Sequence, residues 1–225
     1  ALTYRGGAWS ATRHLAATAL LVRCPQGDLL IGTGPSITGA LFFFFFQRVK
    51  DFEKGEASAL LLIYFIGGLV GAPVWTWLSM RIGKHRALAI SGVVYATMTM
   101  SALLIPPGNL PIAAILMFMI GVPYAAGAFL LRAMMADIGD EERLESGEDR
   151  TGLLYALLNG TVKVAAAAAV GASFTALQAM GFDAKAEGVD TGLAGLSFLF
   201  AAIPAALALM ASWIVIGFPL TAERH

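Results

Sequence analysis

Apolar residues fill six long stretches of this chain, at 29–48, 57–80, 87–106, 110–135, 151–181 and 192–219, with polar residues gathered in the breaks between them. A helix needs about 20 mostly apolar residues to cross the hydrocarbon core of a bilayer. The pattern therefore predicts six membrane-spanning helices. The run from Leu15 to Val22 is too brief to span and is expected to lie along the interface. Every break is short except 136–150, which is dense in charge and reads as a polar loop.

Within the runs, small and helix-breaking residues recur. Gly67, Gly68 and Gly71 include a small-xxx-small pair, and Ala165 to Ala169 with Gly171 form a smooth strip. Such surfaces let helices approach closely where lipid supplies no hydrophobic push. Pro73, Pro123 and Pro204 fall inside spans, where neighbouring groups must satisfy the freed backbone carbonyls. The five rings Phe42 to Phe46 circle a whole helix, so some of them are expected to face lipid. Trp75 and Trp77 lie near a span end and suit an interfacial aromatic belt.

Composition agrees with the pattern. The chain is 58% hydrophobic and 13% charged, whereas soluble domains carry roughly a quarter charged residues. This is the make-up of an integral membrane protein. A formal net charge of +0 gives no footprint for nucleic acid. Cys24 is the single cysteine, which excludes intrachain disulfides and multi-cysteine metal sites. Catalysis is not expected either. A membrane serine protease needs Gly-x-Ser-Gly, the nearest match is Ala89-Ile90-Ser91-Gly92, and His14, His85 and His225 lie at or beyond span ends. As a calcium loop, Asp137 to Glu148 fails, because Glu142 sits where glycine is required and Gly139 where a ligand belongs. No cofactor or metal is expected.

Six spans place both termini on one side. That side holds Arg5, Arg13, Arg23, Arg81, Lys84, Arg86, Arg132, Arg143, Arg150 and Arg224, and the other Arg48, Lys50, Lys54 and Lys185. Ten basic residues against four make the termini cytoplasmic by the positive-inside rule. In a bacterium, the location is the inner membrane.

Lys163 is the exception among the charges, about twelve residues into the run 151–181. At 1.5 Å per residue it lies some 18 Å along its helix, too deep for its stem to reach the interface fully. Intramembrane charges usually face a protein interior or a water pathway and find a partner there. The fifteen carboxylates fall at Asp28, in the 51–56 turn, between Asp137 and Asp149, between Asp183 and Asp190, and at Glu223, none of them mid-span. A carboxylate partner for Lys163 must therefore come from outside this chain. Tyr155, Asn159 and Lys163 stand at i, i+4 and i+8 and so share a helix face.

Two polar segments carry motifs. Gly71-Ala72-Pro73-Val74-Trp75-Thr76-Trp77-Leu78-Ser79-Met80-Arg81-Ile82-Gly83-Lys84-His85-Arg86 closes one span and reverses into the next. Gly83 permits a tight turn, and Arg81, Lys84 and Arg86 suit helix carboxyl ends or anionic headgroups. The segment resembles the loop between the eighth and ninth helices of major facilitator superfamily transporters, with Ser79 near the position of the usual acidic residue. The second segment, from Met134 to Ala156, is similar to the loop between helices ten and eleven of the glycoside–pentoside–hexuronide:cation symporters, the family of the melibiose carrier. That family's pattern is Ala-Asp-x-x-Asp-Tyr-x-Glu-x-x-x-Gly-x-Arg-x-Glu-Gly, followed by a helix with a lysine two to three turns in. Ala136, Asp137, Asp140, Gly147, Gly152 and Lys163 fall in register. Glu141 replaces the tyrosine, Asp149 stands at the arginine position with Arg150 next to it, and Thr151 replaces the second glutamate.

The resemblance covers roughly residues 28–220 and implies an all-α membrane protein whose six transmembrane helices form one half, the C-terminal half, of a major facilitator superfamily fold. It divides the chain into a cytoplasmic segment 1–27, the six-helix transporter half 28–220 and a tail 221–225. The segment 1–27 fits the family poorly and is expected to be a central-loop remnant or aberrant sequence of a truncated or frame-disrupted product. The implied function is cation-coupled symport of a sugar or similar small solute, incomplete without the N-terminal six-helix half, whose aspartates bind the proton or sodium. Lys163, Asn159 and Tyr155 are then expected to line the substrate and cation site. Asp137, Asp140, Arg150, Arg81, Lys84 and Arg86 are expected in a cytoplasmic gating or ionic network. The alternative is a standalone six-helix protein that dimerises as a half-size carrier or channel.

Overall fold

The structure, a computed structural model, describes residues 29–30, 32–146, 151–182 and 192–216. The expectations for 1–27, Arg150 and the 221–225 tail, and for the side chain of Asp140, lie outside the described residues. Among the described residues there are helices and turns and no strand.

Five helices are long and apolar enough to cross a membrane: Lys54–Ile82, Lys84–Leu104, Leu110–Asp137, Asn159–Ala179 and Leu193–Ile216. The stretch expected to span at 29–48 is helical too. Its helix, α1, covers 29–30 and 32–44 and passes into a π-helical turn, Phe45–Val49. The others are α2 (Lys54–Ile82), α3 (Lys84–Ser101, tightening into a 3₁₀ turn at Ala102–Leu104), α4 (Leu110–Ser146) and α5 (Thr151–Ala179). Last comes α6, which is α-helical at Leu193–Ser197, π-helical at Phe198–Ala202 and α-helical again at Ile203–Ile216.

Polar residues at the helix ends define the boundaries. At the start of α2, the Glu53 N–H donates to Glu56 Oε2 at 3.0 Å, satisfying one exposed donor and placing an anion at the helix N-terminus. Asn109 Oδ1 accepts the Ile112 N–H at 3.2 Å at the start of α4. Between α2 and α3 the chain reverses on Gly83, whose φ of 91° favours glycine.

One expectation is corrected here. The segment 136–150 is not a loop throughout, because α4 continues to Ser146. Its 37 residues extend about 55 Å at 1.5 Å per residue, so α4 outruns a hydrocarbon core of about 30 Å. Glutamate, arginine and leucine are good helix formers, and the stretch 140–146 has no glycine or proline to break the helix. High charge marks a solvated segment, and it does not by itself exclude a helix.

Packing centres on α2 against α4, with α3 set between α4 and α6. At the α2–α4 crossing, a methyl group on Gly67 meets the Phe118 carbonyl oxygen, on Gly71 that of Val122, and on Gly121 that of Tyr64. The glycines thus let the two backbones touch, as the small-residue pattern predicts. Trp75 belongs to this contact and not to an interfacial belt. It is buried, and its indole N–H donates to the Val122 carbonyl at 3.0 Å. Trp77 is exposed, with the Arg81 guanidinium 4.3 Å from its ring centre.

Of the phenylalanine run, Phe43 and Phe44 remain partly exposed, as the ring around the helix predicts, and the other three pack inward. Phe42, Phe45 and Phe46 are buried, and Phe45 stacks on Phe200 of α6 with centroids 4.0 Å apart. Phe44 meets Phe174 and Phe182 edge-on. The π turn beginning at Phe45 changes the angular spacing of the rings, so a 3.6-residue wheel misjudges their directions. Pro204 behaves as expected of a proline inside a span. It has no N–H to donate to Phe200, the adjacent turn is π-helical, and the Thr38 hydroxyl lies 3.4 Å from the Phe200 carbonyl it donates to.

Candidate functional site

A cavity of about 440 Å³ opens among α1, α2, α3, α4 and α5, with Phe200 of α6 also on its wall. On α4 it is lined by Met117, Ile120, Tyr124, Gly127, Ala128 and Arg132. Those positions recur every three or four residues, as one stripe of an α-helix must. From Met117 to Arg132 the stripe runs roughly 22 Å at 1.5 Å per residue. The cavity is thus a trough along α4.

Hydroxyl groups interrupt its apolar wall. Thr38, Tyr64, Thr99 and Tyr124 all line it, and the Tyr64 and Tyr124 rings lie 5.0 Å apart. Behind them is Tyr95, buried, one helical turn before Thr99 on the same face of α3. Tyr64, Thr38 and Thr99 are near enough to act electrostatically on Tyr95, yet Tyr95 Oη and Thr99 Oγ1 have no hydrogen-bond partner among the described residues. An unmet buried hydroxyl costs about 1–3 kcal/mol. Thr99 lines the trough, but its Oγ1 is itself buried and lies in the wall beside Tyr95.

Arg132 marks one end of the trough. Its Nη1 donates to the Ala128 carbonyl one turn back at 2.9 Å, and it has no carboxylate within salt-bridge distance among the described residues. Its own carbonyl accepts the Tyr155 hydroxyl at 3.0 Å, which ties α5 to α4.

Of the residues expected to line the substrate site, Tyr155 is the one drawn against another helix. Asn159 and Lys163 are exposed on α5, and neither lines this trough, whereas their neighbour Val162 does. Lys163 has no ion-pair partner among the described residues, consistent with the distribution of carboxylates along the sequence.

Five residues beyond Arg132 on α4 the two motif segments meet. Lys84 Nζ donates to Asp137 Oδ1 at 2.8 Å and to Oδ2 at 2.6 Å, and it lies 3.4 Å from the Ala133 carbonyl. Both side chains are more than a third exposed, so in water the pair is worth about 0.2–1 kcal/mol. Arg81 stacks on Trp77 instead, and Arg86 is exposed.

Sequence reasoning missed the hydroxyl cluster and assigned Arg132 and Lys50 only to the charge balance between the two sides. The signals were present. Tyr95 and Thr99 are spaced i, i+4 within an apolar run, and Arg132 is a charge inside the stretch 110–135. Lys50 is buried and donates to the Leu103 and Ile105 carbonyls at 2.8 and 2.7 Å, closing the carboxyl end of α3. Burial pushes its pKa below the ordinary lysine value. Its partners are distant in sequence, and spacing alone gives no sign of them.

An all-helical bundle in which five helices are long and apolar enough to cross a membrane defines an integral membrane protein. The sequence matches the family described as MFS/sugar transport protein over residues 6–222, and the chain belongs to that family. It is 23% identical over 195 residues to an uncharacterized symporter, sll1374, of Synechocystis, covering 84% of this chain and 36% of that protein. It is 26% identical over 170 residues to the mouse sphingosine-1-phosphate transporter MFSD2B, covering 74% of this chain and 34% of that one. The matched region thus amounts to about a third of each relative's length.

Proposed function

We propose that this chain is the C-terminal half of a cation-coupled secondary symporter for a sugar or similar small solute, of the glycoside–pentoside–hexuronide type, and that an N-terminal six-helix half completes it. The single observation that carries the reading is the trough, where Thr38 and Thr99 stand beside the aromatic pair Tyr64 and Tyr124 in an otherwise apolar wall. Sites for small solutes combine apolar and aromatic walls with a few convergent polar groups, at volumes of about 300–1,000 Å³. Membership of a sugar-transport family and a match to a symporter support the same reading. Lys163 and Asn159, exposed on α5, are in this reading turned toward the other half, where both halves of such a carrier line the site. The Lys84–Asp137 pair holds α3 against α4 at the cytoplasmic end and supplies one tie of the gating network.

The test is uptake of labelled sugars into cells expressing this chain joined to its upstream coding region, with and without a proton or sodium gradient. The expected result is gradient-dependent accumulation that Lys163→Ala abolishes. Uptake indifferent to both gradients would sink cation coupling, and a joined chain that moves no solute would sink the symporter reading.

A further inference from the structure

The buried hydrophobic residues do not form one continuous core. Among the described residues they fall into two clusters, one toward the Lys50 end of the bundle and one toward the Lys84 end. On α2 the break lies between Tyr64 and Trp75, on α3 between Ala89 and Tyr95, and on α4 between Ile120 and Ala126. It holds Pro73, Gly92 and Pro123. Neither proline has an N–H to donate, so the carbonyls four residues back, on Leu69 and Met119, lose their helical bond at this level. A cavity of about 30 Å³ lies in the same break, walled by Leu88 and Val215 from one cluster and by Tyr95 and Ala208 from the other.

We infer that the chain moves as two rigid blocks jointed at Pro73, Gly92 and Pro123, and that tilting of the Lys84 block opens and closes the Arg132 end of the trough. Close-packed cores transmit strain, so displacement collects where packing and helical bonding are both interrupted. Each block has its own lock. At one end Lys50 bonds the Leu103 and Ile105 carbonyls, and its own carbonyl accepts the Gly108 N–H, joining α1 to the turn between α3 and α4. At the other, Lys84 holds Asp137 and joins α3 to α4. The bond from the Trp75 indole to the Val122 carbonyl sits at the break and serves as the pivot. The trough crosses the break, with Met117 and Ile120 on one side of Pro123 and Ala128 and Arg132 on the other. Through the Tyr155 hydroxyl, which holds the Arg132 carbonyl, α5 follows the Lys84 block.

The test measures distances between spin-label pairs in the 225-residue chain in lipid nanodiscs, with Cys24→Ser as background. Exposed positions on α2 and α6 carry the labels. Leu62→Cys with Phe198→Cys lies within the Lys50 block, Met80→Cys with Ile216→Cys within the Lys84 block, and Leu62→Cys with Ile216→Cys spans both. Each pair within a block is expected to give one narrow distance. The spanning pair should give a broad distribution or a second distance about 2 Å or more away, the size of helix shifts in switching proteins. Pro73→Ala with Pro123→Ala returns both N–H donors and should narrow the spanning pair alone. A spanning pair as narrow as the other two, or three equally broad pairs, overturns the inference and leaves the solute-site reading standing; this comparison needs no proline variant to fold. A spread that survives the proline substitutions while the other pairs stay narrow places the joint elsewhere and overturns it too.

Discussion

Lys50 shows how much one misjudged residue can carry. In the sequence it is one of four basic residues assigned to the less basic side, yet in the fold its ammonium closes the carboxyl end of α3. Lys50→Met retains most of the stem and leaves two carbonyls unsatisfied, so it is expected to cost about 1–3 kcal/mol in thermal unfolding in detergent. Stability should also depend on pH through this residue. Because burial lowers its folded-state pKa, the unfolded chain binds the extra proton between that lowered value and the ordinary 10.5. Stability therefore rises with pH across that alkaline window, and the rise should be smaller in Lys50→Met. Thr99 is expected to behave oppositely. Its buried hydroxyl has no hydrogen-bond partner among the described residues, so Thr99→Val should leave stability unchanged or slightly raised in thermal unfolding. A clear loss of stability would show that the hydroxyl serves the fold.

At the scale of elements, the α2–α4 crossing is the contact most exposed to a single change. Gly71 has no room for a side chain, because its α-carbon faces the Val122 carbonyl, which also accepts the Trp75 indole N–H. Gly71→Leu must push the helices apart, and overpacking of this kind costs about 1–3 kcal/mol or more. The expected readout is a lower unfolding temperature in detergent, with Gly55→Leu, which has open space around it, as the mild control. The two π-helical turns belong to the same scale. They place Phe45 over Phe200 and accommodate Pro204, so α1 and α6 meet through aromatic stacking where α2 and α4 meet through bare backbone.

For the whole molecule, the prediction concerns topology. With Cys24→Ser as background, cysteines introduced as Pro107→Cys and Arg86→Cys sit at opposite ends of α3, both exposed. An impermeant maleimide applied to intact cells is expected to label position 107 and spare position 86. The reverse pattern would invert the orientation derived from the basic residues.

The sequence by itself determined the membrane class, the helical fold, the turn at Gly83 and the glycine face of α2, because each follows from local periodicity, composition or backbone freedom. Span length is a property of one run of residues, and the bilayer requires every backbone group to be satisfied within that run. The register of the motif segments was legible as well, and the fold joins them through Lys84 and Asp137. Only the tertiary structure decided which polar side chains converge. Thr38, Tyr64, Thr99, Tyr124 and Arg132 come from four helices, and their proximity depends on crossing geometry that no single run encodes. The same holds for Trp75 and the phenylalanine run, whose burial was set by partners on other helices. A hydrophobic residue in a membrane helix satisfies lipid and core equally, so its sequence cannot say which it faces.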